Sequence, residues 1–145
     1  MKRILSLACL AAILPLGLMA GPVEHTPYVN YVLRCTGCHG MNGEGSVEGG
    51  IPAFPDSVGY IAESEMGRRY MMHVPGVVSA SLSNKEIAEV MNYILDTWAE
   101  GAPHYTEAEV TQLRAEEVTD VVAYRRQVVA ELAAKGIVIA DYPWP

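Results

Sequence analysis

Five consecutive residues could carry chemistry: Cys35-Thr36-Gly37-Cys38-His39. Two thiols three positions apart, with an imidazole directly behind them, form the Cys-x-x-Cys-His pattern of covalent haem attachment. Each thiol can add across one of the two porphyrin vinyl groups, and a ring nitrogen of His39 can take the iron from one face. The spacing has a physical reason. With a helix running into Cys35, two intervening residues bring the second thiol round to the other vinyl, and His39 follows at once. Three other chemistries use similar spacings. Structural zinc takes four nitrogen or sulfur ligands, but the only further cysteine is Cys9 and there is no second Cys-x-x-Cys. A thioredoxin-like dithiol needs a strand ahead of the motif and a βαβ frame, and neither is visible. A disulfide closed over two residues is rarer still.

The elements that must position this pentapeptide lie on both sides of it. Thr26 suits an N-cap and Pro27 the first helical position. Tyr28, Tyr31, Val32 and Cys35 recur at helical spacing, so a helix from about Thr26 leads into the motif. His25, just before it, reads as exposed. Residues 40–50 hold five glycines, Gly40, Gly43, Gly45, Gly49 and Gly50. Such a stretch reads as a loop with several residues at positive φ, passing close to a bulky group. A phosphate loop does not fit: Gly43-Glu44-Gly45 lacks the required spacing, and Glu44 and Glu48 would repel an anion. The apolar turn Ile51-Pro52-Ala53-Phe54-Pro55 follows, and a backbone carbonyl of the Pro52 region is placed to accept the other N–H of His39, which would fix the ring and tune the metal. Residues 63–74 have helical character. Ser83 and Glu86 form a capping box, and behind it Ile87, Val90, Met91, Ile94, Leu95 and Trp98 share one helix face. Burying such a face stabilises by about 1.5 to 3 kcal/mol per large side chain.

Taken together, Cys35-Thr36-Gly37-Cys38-His39-Gly40, Gly43-x-Gly45, Ile51-Pro52-Ala53-Phe54, and Leu82-Ser83-Asn84-Lys85-Glu86-Ile87 with Val90 and Tyr93-Ile94-Leu95 resemble a class I cytochrome c, over residues 27–98, about half the chain. The resemblance implies an all-α fold, one covalently attached haem c, and an electron carrier rather than an enzyme. It also implies redox partner proteins, such as a periplasmic dehydrogenase, a terminal oxidase or another cytochrome. The family often places a distal methionine in a Met-Pro step before the closing helix. Here the matching step is Val74-Pro75-Gly76, and valine cannot ligate. Met72, just ahead of it, is expected as the distal ligand; thioether ligation would raise the potential. His73, Met71, Met91 and Met66 are the alternatives, as is an iron left open or bound to water. An open iron would suit a gas sensor or a peroxidase-like enzyme, for which His73 is the only evident distal base. The expected cofactor-binding set is therefore Cys35, Cys38, His39, Pro52 and Met72, with His39 and Met72 on the metal.

The termini complete the expectation. Lys2 and Arg3, an apolar stretch over residues 4–18, and Leu18-Met19-Ala20 ahead of Gly21-Pro22 read as an export signal over residues 1–20. The apolar run is shorter than the roughly 18 to 20 residues of a spanning helix, so a periplasmic protein with no membrane anchor after cleavage is expected. Cys9 has too few residues ahead of it for a lipoprotein signal. The formal charge is −7, and loss of Lys2 and Arg3 takes it to −9. That balance, without a Lys/Arg cluster, argues against nucleic acid and anionic membranes and favours a partner with a basic patch. The cytochrome domain is expected over residues 21–99 and a C-terminal helical extension over residues 100–145. Glu100-Gly101-Ala102-Pro103 breaks the closing helix. Thr106 and Glu109 cap a short helix with Val110, Leu113 and Glu117. A second, from Thr119, carries Val121, Val122, Val128, Val129 and Leu132 on one side, with Arg125 and Arg126 in its polar part and Gly136 ending it. Residues 137–140 read as a short extended segment. A helical hairpin packed on the core is expected. The alternative is a docking element with Tyr142 and Trp144 as anchors, which would make the chain a fixed haem subunit of a larger dehydrogenase.

Overall fold

The computed structural model describes residues 24–140. The expected export signal, Cys9, and the Tyr142 and Trp144 anchors lie outside the described residues. Among the described residues the architecture is all-α, as expected. The helices are α1 (Pro27–Arg34), α2 (Thr36–His39), α3 (Val58–Ala62), α4 (Glu65–His73), α5 (Pro75–Val78), α6 (Asn84–Trp98), α7 (Glu107–Ala115) and α8 (Val121–Ala134). The only pairing of extended backbone among them is an isolated antiparallel bridge between Ser46 and Ile51.

Local signals start α1 and α6 where they were expected. Thr26 Oγ1 accepts the Val29 N–H at 3.3 Å, and Pro27 fills the first turn of α1. Both arms of the Ser83–Glu86 capping box are made at the head of α6. α1 packs on α6, and α6 packs in turn on α7. The apolar face of α6 is inside: Ile87, Val90, Met91, Ile94 and Leu95 are all buried, and Trp98 is half-buried. His25 is half-buried rather than exposed.

α7 and α8 pack on α4. Val110, Leu113, Val128 and Leu132 are buried, and three polar side chains of α4 complete the joint. Arg68 holds Glu109 with two parallel bonds, Nε to Oε1 at 2.6 Å and Nη2 to Oε2 at 2.8 Å. It also donates to the carbonyls of Ala62, Pro103 and His104, and its guanidinium lies 3.8 Å from the Tyr105 ring centroid. Arg69 pairs with Glu116 and donates to the Tyr124 hydroxyl at 3.1 Å. Both ring nitrogens of His73 lie 2.8 Å from backbone carbonyls, those of Arg69 and Glu116.

Two expectations for α8 are corrected. Its cap is Asp120, one residue later than Thr119; Asp120 Oδ1 accepts the N–H groups of Val122 and Ala123 at 3.0 and 2.9 Å. Arg125 is not on the polar side: it is 1% exposed, while Arg126 is exposed. Val121, Arg125, Val128 and Leu132 are spaced four, three and four apart, which is one stripe of a helix. The stripe faces inward, and the arginine goes with it. Gly136, at φ 78°, ends the element. Residues 137–140 form no strand, with Val138 exposed and Ile139 buried.

The joint on Arg68 yields a stability prediction. The Arg68→Met variant should unfold at lower urea, with a loss of about 1.5 to 3 kcal/mol, the range for hydrogen bonds to charged groups. The Glu109 carboxyl is held below its ordinary value of 4.5, first by the hydrogen bond from Arg68. A depressed folded-state pKa contributes stability above pH 4.5 that is lost as pH falls through the lower value. Arg68→Met should therefore differ most from wild type near neutral pH and least in strong acid. An equal difference at both would sink this account of the pair.

Candidate cofactor site

α1 and α2 meet at Cys35, whose carbonyl accepts the N–H of both Cys38 (3.1 Å) and His39 (2.9 Å). Thr36 Oγ1 donates to the Val32 carbonyl at 2.8 Å and ties the turn to the helix before it. This tight turn puts both thiols and the His39 ring on one cavity. Cys35 is half-buried, Cys38 is exposed, and neither is in a disulfide. Burial, with Cys38 as the smaller cause, pushes the Cys35 thiol up to about 11, so it is protonated at neutral pH.

The glycine loop brings the chain back onto His39. Gly45 N–H donates to the His39 carbonyl at 3.0 Å, and Ser46 and Ile51 exchange backbone bonds of 2.9 and 2.8 Å. Gly45 sits at φ 66°, and a Cβ there would lie 2.3 Å from the Ile51 carbonyl oxygen. No larger residue fits this closure without displacing the next one, Pro52. The return places the Pro52 carbonyl oxygen 3.2 Å from His39 Nδ1. A carbonyl oxygen can only accept, so Nδ1 carries the proton and Nε2 keeps its lone pair. Burial holds the imidazole below its ordinary 6.5, against the opposing pull of the Pro52 bond. The ring is therefore neutral at pH 7, the state in which it can ligate. His39 also stacks on Phe54, with centroids 4.1 Å apart and planes 16° apart, and Phe54 leans on Trp98 at 5.4 Å.

The cavity has a volume of about 410 Å³, within the range of sites that bury small-molecule cofactors. Beyond the motif, residues 49–54 form one side. α4 contributes Tyr70 and Met71, and α5 contributes Val77. α6 contributes the ridge Ile87, Val90, Met91 and Ile94, and α8 contributes Val121, Val122 and Arg125. Among the described residues no aspartate or glutamate lines it, and the charged side chains that do are Arg34 and Arg125. Among the described residues no group of three or more His, Cys, Asp or Glu could hold a metal ion. The donors present are two thiols and one imidazole with its Nε2 lone pair available, at an apolar cleft. That set fits an iron that arrives with its own porphyrin nitrogens, attached through sulfur.

The structure divides the expected distal ligands. Met72 is fully buried but is not among the cavity-lining residues; Met71, its neighbour, is. Successive helical side chains point about 100° apart, so α4 can turn only one of the two to the cleft. Met91 also lines the cavity, from α6. Met66 is half-buried away from it, and His73 is engaged with the Arg69 and Glu116 carbonyls. Val74, Pro75 and Gly76 line the cavity as well. The contribution of α8 was missed in the sequence, and the available signal was the inward stripe through Arg125.

No protein-family model matches the chain. It is 34% identical over 131 residues to a cytochrome c-552 of Thermus thermophilus, an alignment that takes in 72% of this chain and 92% of that protein. A second cytochrome c-552, from a named strain of the same species, is likewise 34% identical over 131 residues, covering 72% of this chain and 82% of the relative.

The tight closure at Gly45 is testable by substitution. Gly45→Ala should destabilise by about 1 to 3 kcal/mol, the cost of a strained left-handed residue. Gly37→Ala is the control, since a Cβ at Gly37 meets nothing within 4 Å; its effect should stay under about 1 kcal/mol. Equal unfolding midpoints for the two variants would contradict the close approach.

Proposed function

Because this chain belongs to the c-type cytochromes, haem proteins that carry electrons, we propose that Cys35, Cys38 and His39 hold one covalently attached haem c. In this reading the protein passes single electrons, in the periplasm, from a dehydrogenase-type donor to a terminal acceptor such as an oxidase or another cytochrome. The observation that carries it is the set of His39 contacts. The ring is neutral, its Nδ1–H is committed to the Pro52 carbonyl, and Nε2 is left as a ligand at an apolar cleft beside two thiols.

Each residue then has a definable part. Cys35 and Cys38 would hold the haem as thioethers, each S–H adding across one vinyl C=C so that sulfur bonds one carbon and hydrogen the other, with nothing released. His39 Nε2 would hold the iron through its lone pair, and the Pro52 carbonyl, by accepting from Nδ1–H, fixes the ring and raises its basicity. The bound haem supplies the reversible one-electron change of its iron. The ridge on α6 and the 49–54 turn exclude water, so little solvent must reorganise when the charge changes. We assign the distal position to Met71 in place of Met72, because Met71 lines the cleft as part of α4, whereas Met91 belongs to the continuous ridge of α6. Residues 1–20 act as the export signal; no helix among the described residues is long and apolar enough to cross a membrane. The acid excess suits a donor or acceptor with a basic docking face. Residues 21–99 form the cytochrome domain and residues 100–145 its extension.

One observation favours a second reading. Val74, Pro75 and Gly76 border the cavity where the family often has its Met-Pro step, and an iron left open there would make the protein a gas sensor or a peroxidase-like enzyme. Absorption spectra of the purified protein, oxidised and reduced, with and without carbon monoxide, separate the two. A sulfur-to-iron charge-transfer band and no response to carbon monoxide mean a methionine-ligated carrier. A high-spin iron that binds carbon monoxide means an open site. Met71→Ala should abolish the band and Met72→Ala should keep it; the reverse result would return the ligand to Met72. Cys35→Ala or Cys38→Ala should weaken covalent haem retention. Colourless wild-type protein, made with the haem-attachment machinery present, would overturn the whole proposal.

A further inference from the structure

We propose that the C-terminal extension sets the distal side of the haem: Glu109, Glu116 and Glu131 fix the rotation of α4 from outside and so keep the Met71 sulfur directed at the iron. This rests on the haem reading above and on its assignment of Met71. A helix offers a ligand by its rotation. α4 carries two methionines side by side, so a turn of about 100° would exchange one for the other. At nine residues it is too short to hold itself, since isolated helices below about 12 to 15 residues are marginal in water. Its rotation must come from what it packs against.

The anchors stand where such a clamp needs them. Around the helix, Met72 falls between Arg68 and Arg69, and Arg69 and His73 lie about 160° from Met71. The extension holds all three of these polar residues. Arg68 grips Glu109 of α7 with its two parallel bonds, and its side chain is 12% exposed. Arg69 pairs with Glu116, whose carbonyl also lies 2.8 Å from His73 Nε2. At the head of α4 the capping residue Ser64 donates from Oγ to Glu131 of α8 at 2.8 Å. The ties thus reach the start, the middle and the end of the helix, so it cannot turn about its axis without breaking them. Two-pronged charged pairs are the strong ones, which makes the middle tie the stiffest. Together they hold the Met72 side against the extension, where that side chain is fully buried, and leave Met71 on the cavity.

Carbon monoxide can bind the ferrous iron on this side only while the sulfur is off it, so the binding rate reads how often the ligand lets go. In the holoprotein Glu109→Ala should raise that rate about tenfold or more, the change in an equilibrium that follows from losing one hydrogen bond to a charged group. On heating, the variant should also lose the sulfur-to-iron band before its helices melt. Ser83→Ala is the control: it removes the cap of α6 at a comparable cost in stability and leaves α4 untouched, so its rate and band should stay at wild type. If Glu109 serves stability alone, both variants lower the unfolding midpoint and both keep the wild-type rate and band, which overturns the proposal. Should Glu109→Ala not fold, Glu131→Ala takes its place, giving up the Ser64 tie and the surface pair with Lys135, and the same two results decide. Failure of the ligand reading looks different: Met71→Ala would then keep the band, or the wild-type protein would show none.

Discussion

One hydrogen bond organises the histidine side of the site, from Nδ1 of His39 to the Pro52 carbonyl. It joins residues 13 apart, so everything between them must form a closed return. The glycines at positive φ make the return short enough, and the loop meets its own backbone needs through Gly45 to His39, the Ser46–Ile51 pair, and Phe54 to Gly43. The result is chemical as well as geometric. A bond to an oxygen that can only accept decides which imidazole nitrogen keeps a lone pair, and so which way a ligand must approach.

α4 is the second organising element because its faces do different work. Tyr70 and Met71 look into the cavity, whereas Arg68, Arg69 and His73 bind the segment after Pro103. Gly67 keeps α4 close to α3; a Cβ there would lie 2.1 Å from the Ile61 carbonyl oxygen. The Arg68–Glu109 pair differs in kind from the exposed Lys85–Glu24 pair. Its arginine side chain is 12% exposed and two-pronged, whereas Lys85 is 52% exposed; exposed single-pronged pairs contribute little.

What was legible in the sequence was what local rules decide. The Cys-x-x-Cys-His turn, the glycine loop, the apolar return at Pro52 and the Ser83–Glu86 box are each set by residues within a few positions of one another. So was the inner face of α6, where every position of the stripe is apolar. What was not legible there needed tertiary information. Met71 and Met72 are equally apolar neighbours, and only the rotation of α4, held by Glu109 and Glu116 on the far side, turns one to the cleft. Thr119 and Asp120 are both good caps, and a single residue separates the two starts. Arg125 reads as polar by type, yet its place in the stripe with Val121, Val128 and Leu132 takes it inside.

The extension also has a consequence in time. The helix that supplies Val121, Val122 and Arg125 to the cavity is the last one among the described residues to leave the ribosome. A chain growing from its N-terminus has the thiols, the imidazole and the α6 ridge in hand while that wall is still missing. Without that wall the cleft is lined by the motif, the 49–54 turn and helices α4, α5 and α6. α8 completes the lining, and Arg125 ties it to the Ala140 carbonyl.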